Sequence, residues 1–60
     1  MKRVTRTKKV GTYQVIVERE ALGQVADYSV FRVKDDERTF LGSGSKREAQ
    51  RIFDKEGGET

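Results

Sequence analysis

Apolar and polar residues alternate along three separate stretches of the chain, and this pattern predicts three β-strands. Residues 12–20 read TYQVIVERE, residues 28–34 read YSVFRVK, and residues 38–42 form the shorter segment RTFLG. Side chains of a strand point to alternate faces of a sheet, so each stretch can bury one row of side chains against a core.

The connections between these strands differ in character. Residues 21–27 contain Gly23 and break the alternation, so we expect a loop or a single helical turn there. Asp35, Asp36 and Glu37 separate the last two strands, and Asp side chains bond to nearby backbone and tolerate turn dihedrals. We therefore predict a hairpin of the last two strands.

A helix start follows the last strand. Residues 45–48 read SKRE, which fits a capping box between Ser45 and Glu48. One apolar stripe comes next, at the spacing of a helix face, formed by Ala49, Ile52 and Phe53. With Gly57 and Gly58 as stop signals, the pattern predicts a helix over residues 46–56, too short to persist alone and therefore docked on the sheet.

The order of these elements predicts an α+β fold, a three-stranded antiparallel sheet with one C-terminal helix packed on one face (β-β-β-α). We expect the face beneath the helix to hold Tyr13, Val15, Val17, Phe31, Val33 and Leu41. Alternation then leaves on the open face Gln14, Ile16, Glu18, Tyr28, Val30, Arg32, Lys34, Arg38 and Phe40.

The net charge of +3 is unevenly distributed along the chain. Five bases precede the first acidic residue, Glu18, and they are Lys2, Arg3, Arg6, Lys8 and Lys9. We expect residues 1–11 to be a flexible basic arm that lies along phosphates, followed by one domain over 12–57 and a disordered tail over 58–60. A solubilising tail, or a first strand with solvated Lys and Arg, fits the same residues.

The composition excludes several classes of function. The chain has no Cys and no His, hence no disulfide, no thiolate or imidazole ligand and no imidazole base. No apolar run approaches the ~18 residues of a membrane span. Ser43 and Ser45 have no His to activate them. We therefore expect a non-catalytic, cytoplasmic or nucleoid-associated binding protein with no cofactor, no metal, no small-molecule substrate and no membrane contact.

Two regions combine the side chains that bind nucleic acid. The open sheet face offers rings and bases, namely Tyr28, Arg32, Lys34, Arg38 and Phe40. At the helix start, Lys46 and Arg47 oppose the positive end of the helix dipole and Ser45 adds a hydroxyl, so a bound phosphate would relieve the conflict. The alternatives are simple solvation of these cations, and a second subunit that covers the apolar residues of the open face.

Three short motifs in residues 28–54 carry a family resemblance: Phe40-Leu41-Gly42, Glu48-Ala49 and Phe53-Asp54. They resemble the second half of the plant ethylene-response-type DNA-binding domain. Arm-site-binding domains of phage-type integrases share its architecture, in which a three-stranded sheet enters the major groove. The resemblance implies DNA contacts from Arg32, Lys34 and Arg38. The chain has one residue fewer between Leu41 and Ala49, and it lacks that family's tryptophans and its arginine-rich first strand.

A second motif, GSGSKREAQ at residues 42–50, is similar to the loop and second-helix start of double-stranded-RNA-binding domains. This resemblance implies phosphate contacts from Ser45, Lys46 and Arg47. The first helix of that family is missing, so the chain is not a complete domain of that type.

These observations favour a small nucleic-acid-binding protein, with DNA before RNA as the ligand. The alternative is a protein-interaction module, such as a phage- or plasmid-type accessory protein or inhibitor. It would act through Ile16, Val30 and Phe40 on the open sheet face, as a homodimer or with another protein.

Overall fold

The computed structural model describes residues 2–56, which form a four-stranded antiparallel sheet followed by one helix. The strands pair in chain order, and the elements are β1 Lys2–Val10, β2 Tyr13–Leu22, β3 Val25–Lys34, β4 Glu37–Gly44 and α1 Lys46–Lys55. The predicted α+β class, with an antiparallel sheet and a C-terminal helix, is confirmed. The predicted count of three strands is wrong, and the tail at 58–60 lies outside the described residues.

The additional strand is β1, which is formed by the segment predicted to be a flexible arm. Four β-branched residues favour extended backbone there, namely Val4, Thr5, Thr7 and Val10. Gly11, at φ 58°, begins the tight turn that pairs Val10 with Tyr13 and brings β1 back along β2. A first strand with solvated Lys and Arg is therefore the correct interpretation of this segment.

Tight turns also define the other two hairpins. Leu22 pairs with Val25, so only Gly23 and Gln24 connect β2 to β3, and Gly23 has a φ of 67°. The loop predicted over residues 21–27 is wrong, because both strands continue almost to this turn. The predicted β3–β4 hairpin is confirmed, and Asp35 adopts a φ of 54° in its turn.

The core lies between the sheet and α1. Its buried members come from β2, β3 and α1, and they are Val15, Val17, Val30, Ala49 and Phe53. Partly buried side chains pack around them, namely Val10, Tyr13, Tyr28, Leu41 and Ile52. The helix packs over β2, β3 and β4, so β1 lies beside it rather than beneath it.

The predicted face assignment is correct for β2 and wrong for β3. Val15 pairs with Arg32 and Val17 pairs with Val30, so the helix side of β3 carries Tyr28, Val30 and Arg32. Phe31 and Val33 occupy the open face instead, where Phe31 pairs with Ile16. Both rows of β3 contain apolar residues, and the row with Phe31 and Val33 is the more apolar. Hydrophobicity alone therefore selected the wrong row, whereas the two-residue turn fixes the right one.

Two β-bulges re-aim side chains in the edge strands. In β1 the pairing moves from Val4–Glu18 to Arg6–Val17, so Thr5 is the extra residue and, before it, Arg3 rather than Val4 points to the helix side. In β4 the pairing moves from Gly42–Val30 to Phe40–Phe31, so Leu41 is the extra residue. Leu41 packs against the core, whereas Phe40 lies on the open face opposite Phe31.

The register of β3 predicts that two matched substitutions lower the free energy of unfolding by different amounts. Val30→Thr places a hydroxyl at a site with 0% exposure and should lower the free energy of unfolding by about 1–3 kcal/mol. Val33→Thr, on the open face, should lower it by less than about 1 kcal/mol. Urea unfolding of the two variants measures both changes, and a larger loss at Val33 would contradict the register.

Candidate nucleic-acid interface

The two sides of the sheet differ sharply in charge. By register, the open face carries three bases and three acids, namely Lys2, Lys9, Arg38, Glu18, Glu20 and Asp27. The helix side carries ten bases, from β1, β2, β3 and α1: Arg3, Arg6, Lys8, Arg19, Arg32, Lys34, Lys46, Arg47, Arg51 and Lys55. Among residues 2–56 it carries only four acids, Glu37, Glu48, Asp54 and Glu56. The positive excess of the chain therefore lies on the helix side.

Few of the helix-side bases are neutralised within the chain. Among residues 2–56, salt bridges join only Arg32 to Glu56 and Arg38 to Glu18. Arg3 lies directly opposite Arg19 in the β1–β2 pairing, and like charges in directly opposed positions destabilise a strand pair. The helix side thus holds unbalanced positive charge that a polyanion would neutralise.

A cleft of about 300 Å³ opens on this side between β1 and the start of α1. Its floor contains the apolar residues Val17 and Ala49, which belong to the core. Its polar lining comes from β1, β3 and α1, and comprises Thr5, Arg6, Tyr28, Lys46 and Gln50. Two cations and a phenol from three separate elements therefore surround one cavity.

Some polar groups of the cleft are already engaged in hydrogen bonds. The Thr5 hydroxyl donates to the Val17 carbonyl at 3.3 Å, and the Gln50 side-chain amide donates to Asp54 Oδ1 at 2.9 Å. The guanidinium of Arg6, the ammonium of Lys46 and the hydroxyl of Tyr28 have no hydrogen-bond acceptor among residues 2–56. These three groups can donate to an anionic ligand without breaking an existing bond.

The helix start positions Lys46 at the mouth of this cleft. Ser45 is the N-cap: its hydroxyl accepts the Glu48 backbone N–H at 3.3 Å, and its own N–H donates to Glu48 Oε1 at 3.1 Å. The predicted capping box is confirmed. The Glu48 carboxylate occupies the place at Ser45 where a phosphate was expected, and Arg47 does not line the cleft. Of the three residues predicted at the helix start, the cleft includes Lys46 alone.

The contact face predicted for the sheet is divided between its two sides. Tyr28 and Arg32 lie on the helix side, which corrects the prediction that they face outward. The Arg32 guanidinium lies 4.7 Å from the Tyr13 ring centroid and donates to Glu56 Oε1 at 3.1 Å, so it links β3 to the end of α1. Lys34 was also predicted on the open face, but it follows Arg32 in the helix-side row, where it is exposed and pairs with Glu37 beside the β3–β4 turn. Arg38 and Phe40 lie on the open face as predicted.

The five bases of β1 also divide between the two sides. Arg3, Arg6 and Lys8 belong to the helix side, and the Lys8 ammonium lies 4.6 Å from the ring centroid of Phe53. Lys2 and Lys9 belong to the open face. These five bases therefore do not form one diffuse charge, because the alternation of a strand divides them between the two faces of the sheet.

The open face carries an aromatic cluster covered by an ion pair. The rings of Phe31 and Phe40 meet edge to face, with centroids 5.6 Å apart. Arg38 stacks 4.5 Å from the Phe31 centroid and donates to Glu18 Oε2 at 2.8 Å. Arg38 is therefore already paired, and a phosphate on this face would have to displace the Glu18 carboxylate.

The sequence pattern does not single out several residues in and around the cleft. Thr5 and Gln50 line it, and Arg19 adds charge to the same side of the sheet. The alternation of residues 2–10 would have placed Arg6 and Lys8 on one face if the segment had been interpreted as a strand. The bulge at Thr5, which brings Arg3 to the same side, has no signal in the sequence.

Comparison with protein-family models, curated proteins and solved structures finds no match for this chain. The two family resemblances described above therefore stay predictions. Among residues 2–56, no helix combines the length and the apolar character that a membrane crossing requires.

The capping box that positions Lys46 depends on glycine at position 44. Gly44 has a φ of 150°, a region open almost only to glycine, and an added Cβ would overlap Glu48 Oε1. Gly44→Ala should therefore lower the free energy of unfolding by about 2–4 kcal/mol, as the sum of backbone strain and a lost cap.

Two variants separate these causes in the same unfolding measurement. Gly23→Ala, where an added Cβ meets nothing within 4 Å, should cost only about 1 kcal/mol for its left-handed backbone. Glu48→Gln keeps a capping-box acceptor and should cost less than about 1 kcal/mol. Equal losses at Gly44 and Gly23 would show that the overlap with Glu48 is unimportant.

Proposed function

We propose that this chain is a small, non-catalytic nucleic-acid-binding protein whose contact surface is the helix side of the sheet. The observation that carries the proposal is the cleft between β1 and α1, where Arg6, Lys46 and Tyr28 converge. The two cations bind a backbone phosphate, and the neighbouring bases of β1 extend the contact along the strand of nucleic acid.

The first support for this proposal is electrostatic. Ten bases against four acids give the helix side a positive surface that matches the continuous negative charge of a nucleic acid. The opposed pair Arg3 and Arg19 is a local repulsion within the protein, and a phosphate between the two guanidiniums converts it into attraction.

The second support is the chemistry of the cleft. An apolar floor of Val17 and Ala49 lies beneath three free donors, so the site offers an uncharged surface next to a phosphate-binding rim. A nucleotide unit has the same division, with an apolar sugar and base face beside an anionic phosphate. Tyr28 is half-buried, and its ring adds to the surface on which a sugar or base can pack.

The open sheet face is the weaker candidate for nucleic acid. Its three acids balance its three bases, and Arg38 is held by Glu18 at 2.8 Å. Displacement of this contact by a phosphate would leave the Glu18 carboxylate next to a polyanion. The proposed interface is therefore the helix side rather than the open face, and of the bases of β1 it includes Arg3, Arg6 and Lys8.

DNA is proposed ahead of RNA on the strength of the resemblance carried by residues 28–54. Phosphate contacts alone do not distinguish the two nucleic acids, because the backbone charge is common to both. A direct comparison of DNA and RNA duplexes of equal length and sequence is therefore part of the test.

The test is the salt dependence of binding, followed by fluorescence anisotropy of a labelled short DNA duplex. Each phosphate neutralised contributes about 0.9 to the slope of log K against log salt concentration. We expect Arg6→Gln and Lys46→Gln each to reduce that slope by about 0.9 and to weaken binding at low salt. The matching RNA duplex should bind more weakly than the DNA duplex.

Lys9→Gln is the matched control. It removes the same charge from the same strand one residue beyond Lys8, but its side chain belongs to the open face. Its slope should equal that of the unchanged protein. An equal reduction in all three variants would show that only net charge matters, and a slope near zero for the unchanged protein would exclude the proposed function.

A further inference from the structure

The four most exposed large apolar side chains among residues 2–56 all lie on the open sheet face. They are Val4 at 47%, Leu22 at 51%, Val25 at 69% and Phe40 at 58% exposure. By register, Val4 faces the same way as Glu18, Leu22 pairs with Val25, and Phe40 pairs with Phe31. Together with Ile16, Phe31 and Val33, they give this face an apolar surface that α1 does not cover.

We propose that this face is a homodimer interface, in which the sheets of two copies of the chain pack face to face. The proposal is independent of nucleic-acid binding, because that function was assigned to the opposite side of the sheet. The occupant of the open face is a second copy of the same surface.

The pattern of charge on the open face favours a second copy over a polyanion. Lys9 and Arg38 lie at the end near the β1–β2 turn, whereas Glu18, Glu20 and Asp27 lie toward the β2–β3 turn with Lys2. The first end of the open face therefore has a net charge of +2, and the second end has a net charge of −2. Asp35 and Asp36 lie past the first end, in the β3–β4 turn, outside the paired rows of this face.

A twofold axis makes this pattern self-complementary. When the axis lies in the interface and runs perpendicular to the strands, the strand direction of the second copy is reversed. The positive end of each copy then lies over the negative end of the other. A nucleic acid has no such division of charge and would meet three carboxylates on this face.

The size of the face is sufficient for a stable dimer. The chain measures 36 × 26 × 15 Å, so its broad side offers a footprint of roughly 900 Å², and a standard interface buries about 800 Å² on each partner. Sheets that pack face to face place side chains between layers about 10 Å apart. The Arg38–Glu18 pair enters such an interface already joined, which avoids an unpaired buried charge.

The small core of the chain also favours a dimer. Only five side chains are buried among residues 2–56, and none is polar. Chains of this size without disulfide or metal commonly gain stability by association, because their own core is small. A face-to-face dimer would cover the apolar row of Ile16, Phe31 and Phe40 on both copies.

Sedimentation equilibrium across protein concentrations from about 1 μM to about 1 mM tests the proposal. We expect a monomer–dimer equilibrium for the unchanged protein. Phe40→Ser removes one large apolar side chain from each copy and should weaken the dimer at least about a hundredfold. Val25→Ser, at a position beside the turn that is 69% exposed, should weaken it with no effect on folding, which circular dichroism checks.

Arg51→Ser is the control, because it truncates an exposed side chain on α1, on the opposite side of the sheet. Its dimer should dissociate at the same concentration as that of the unchanged protein. The dimer constant should change less than about threefold over a salt range in which nucleic-acid binding changes steeply.

The outcomes separate this proposal from the proposed function. A monomer at all concentrations, or equal weakening by Arg51→Ser and Phe40→Ser, would overturn the dimer interface. Binding of Phe40→Ser to DNA with an unchanged salt slope would be consistent with two independent surfaces. A reduced salt slope for DNA binding in Arg6→Gln with an intact dimer would confirm that the two surfaces act separately.

Discussion

The register between β2 and β3 is the constraint on which the rest of this structure depends. The two-residue turn at Gly23 and Gln24 pairs Val17 with Val30, and this pairing decides which row of β3 lies beneath the helix. A shift by one residue would bury Phe31 and Val33 and would move Tyr28 and Arg32 to the open face. The core, the cleft and the aromatic cluster all follow from this one pairing.

The same register separates the two surfaces of the molecule by chemistry. On the helix side, bases of β1 lie next to those of α1 with few carboxylates, and the bulge at Thr5 adds Arg3 to that group. On the open face, bases and acids balance around an apolar centre. A positively charged surface suits a polyanion, whereas a neutral apolar surface suits a protein. One thin sheet therefore offers two surfaces of different chemistry.

Local signals in the sequence predicted the helix and the last hairpin. The capping box at Ser45 and Glu48 and the turn at Asp35 each act within a few residues, so their effect does not depend on the rest of the chain. The face of Val30 depends instead on the length of a turn several residues away. The role of β1 depends on pairing with β2, because its own composition is too polar to indicate a buried strand. The cleft depends both on the register of β3 and on the pairing of β1 with β2, because its lining includes residues of β1, β3 and α1.

The arrangement of the two proposed surfaces is electrostatically consistent. In a dimer through the open faces, the two cationic helix sides point outward on opposite sides of two packed sheets. Sheets packed about 10 Å apart, with a helix outside each, separate the clefts by more than the Debye length of about 8 Å at physiological ionic strength. Repulsion between the copies is therefore screened. Association through the helix sides would instead oppose ten bases with ten, so the distribution of charge favours the open face as the proposed surface for the second copy.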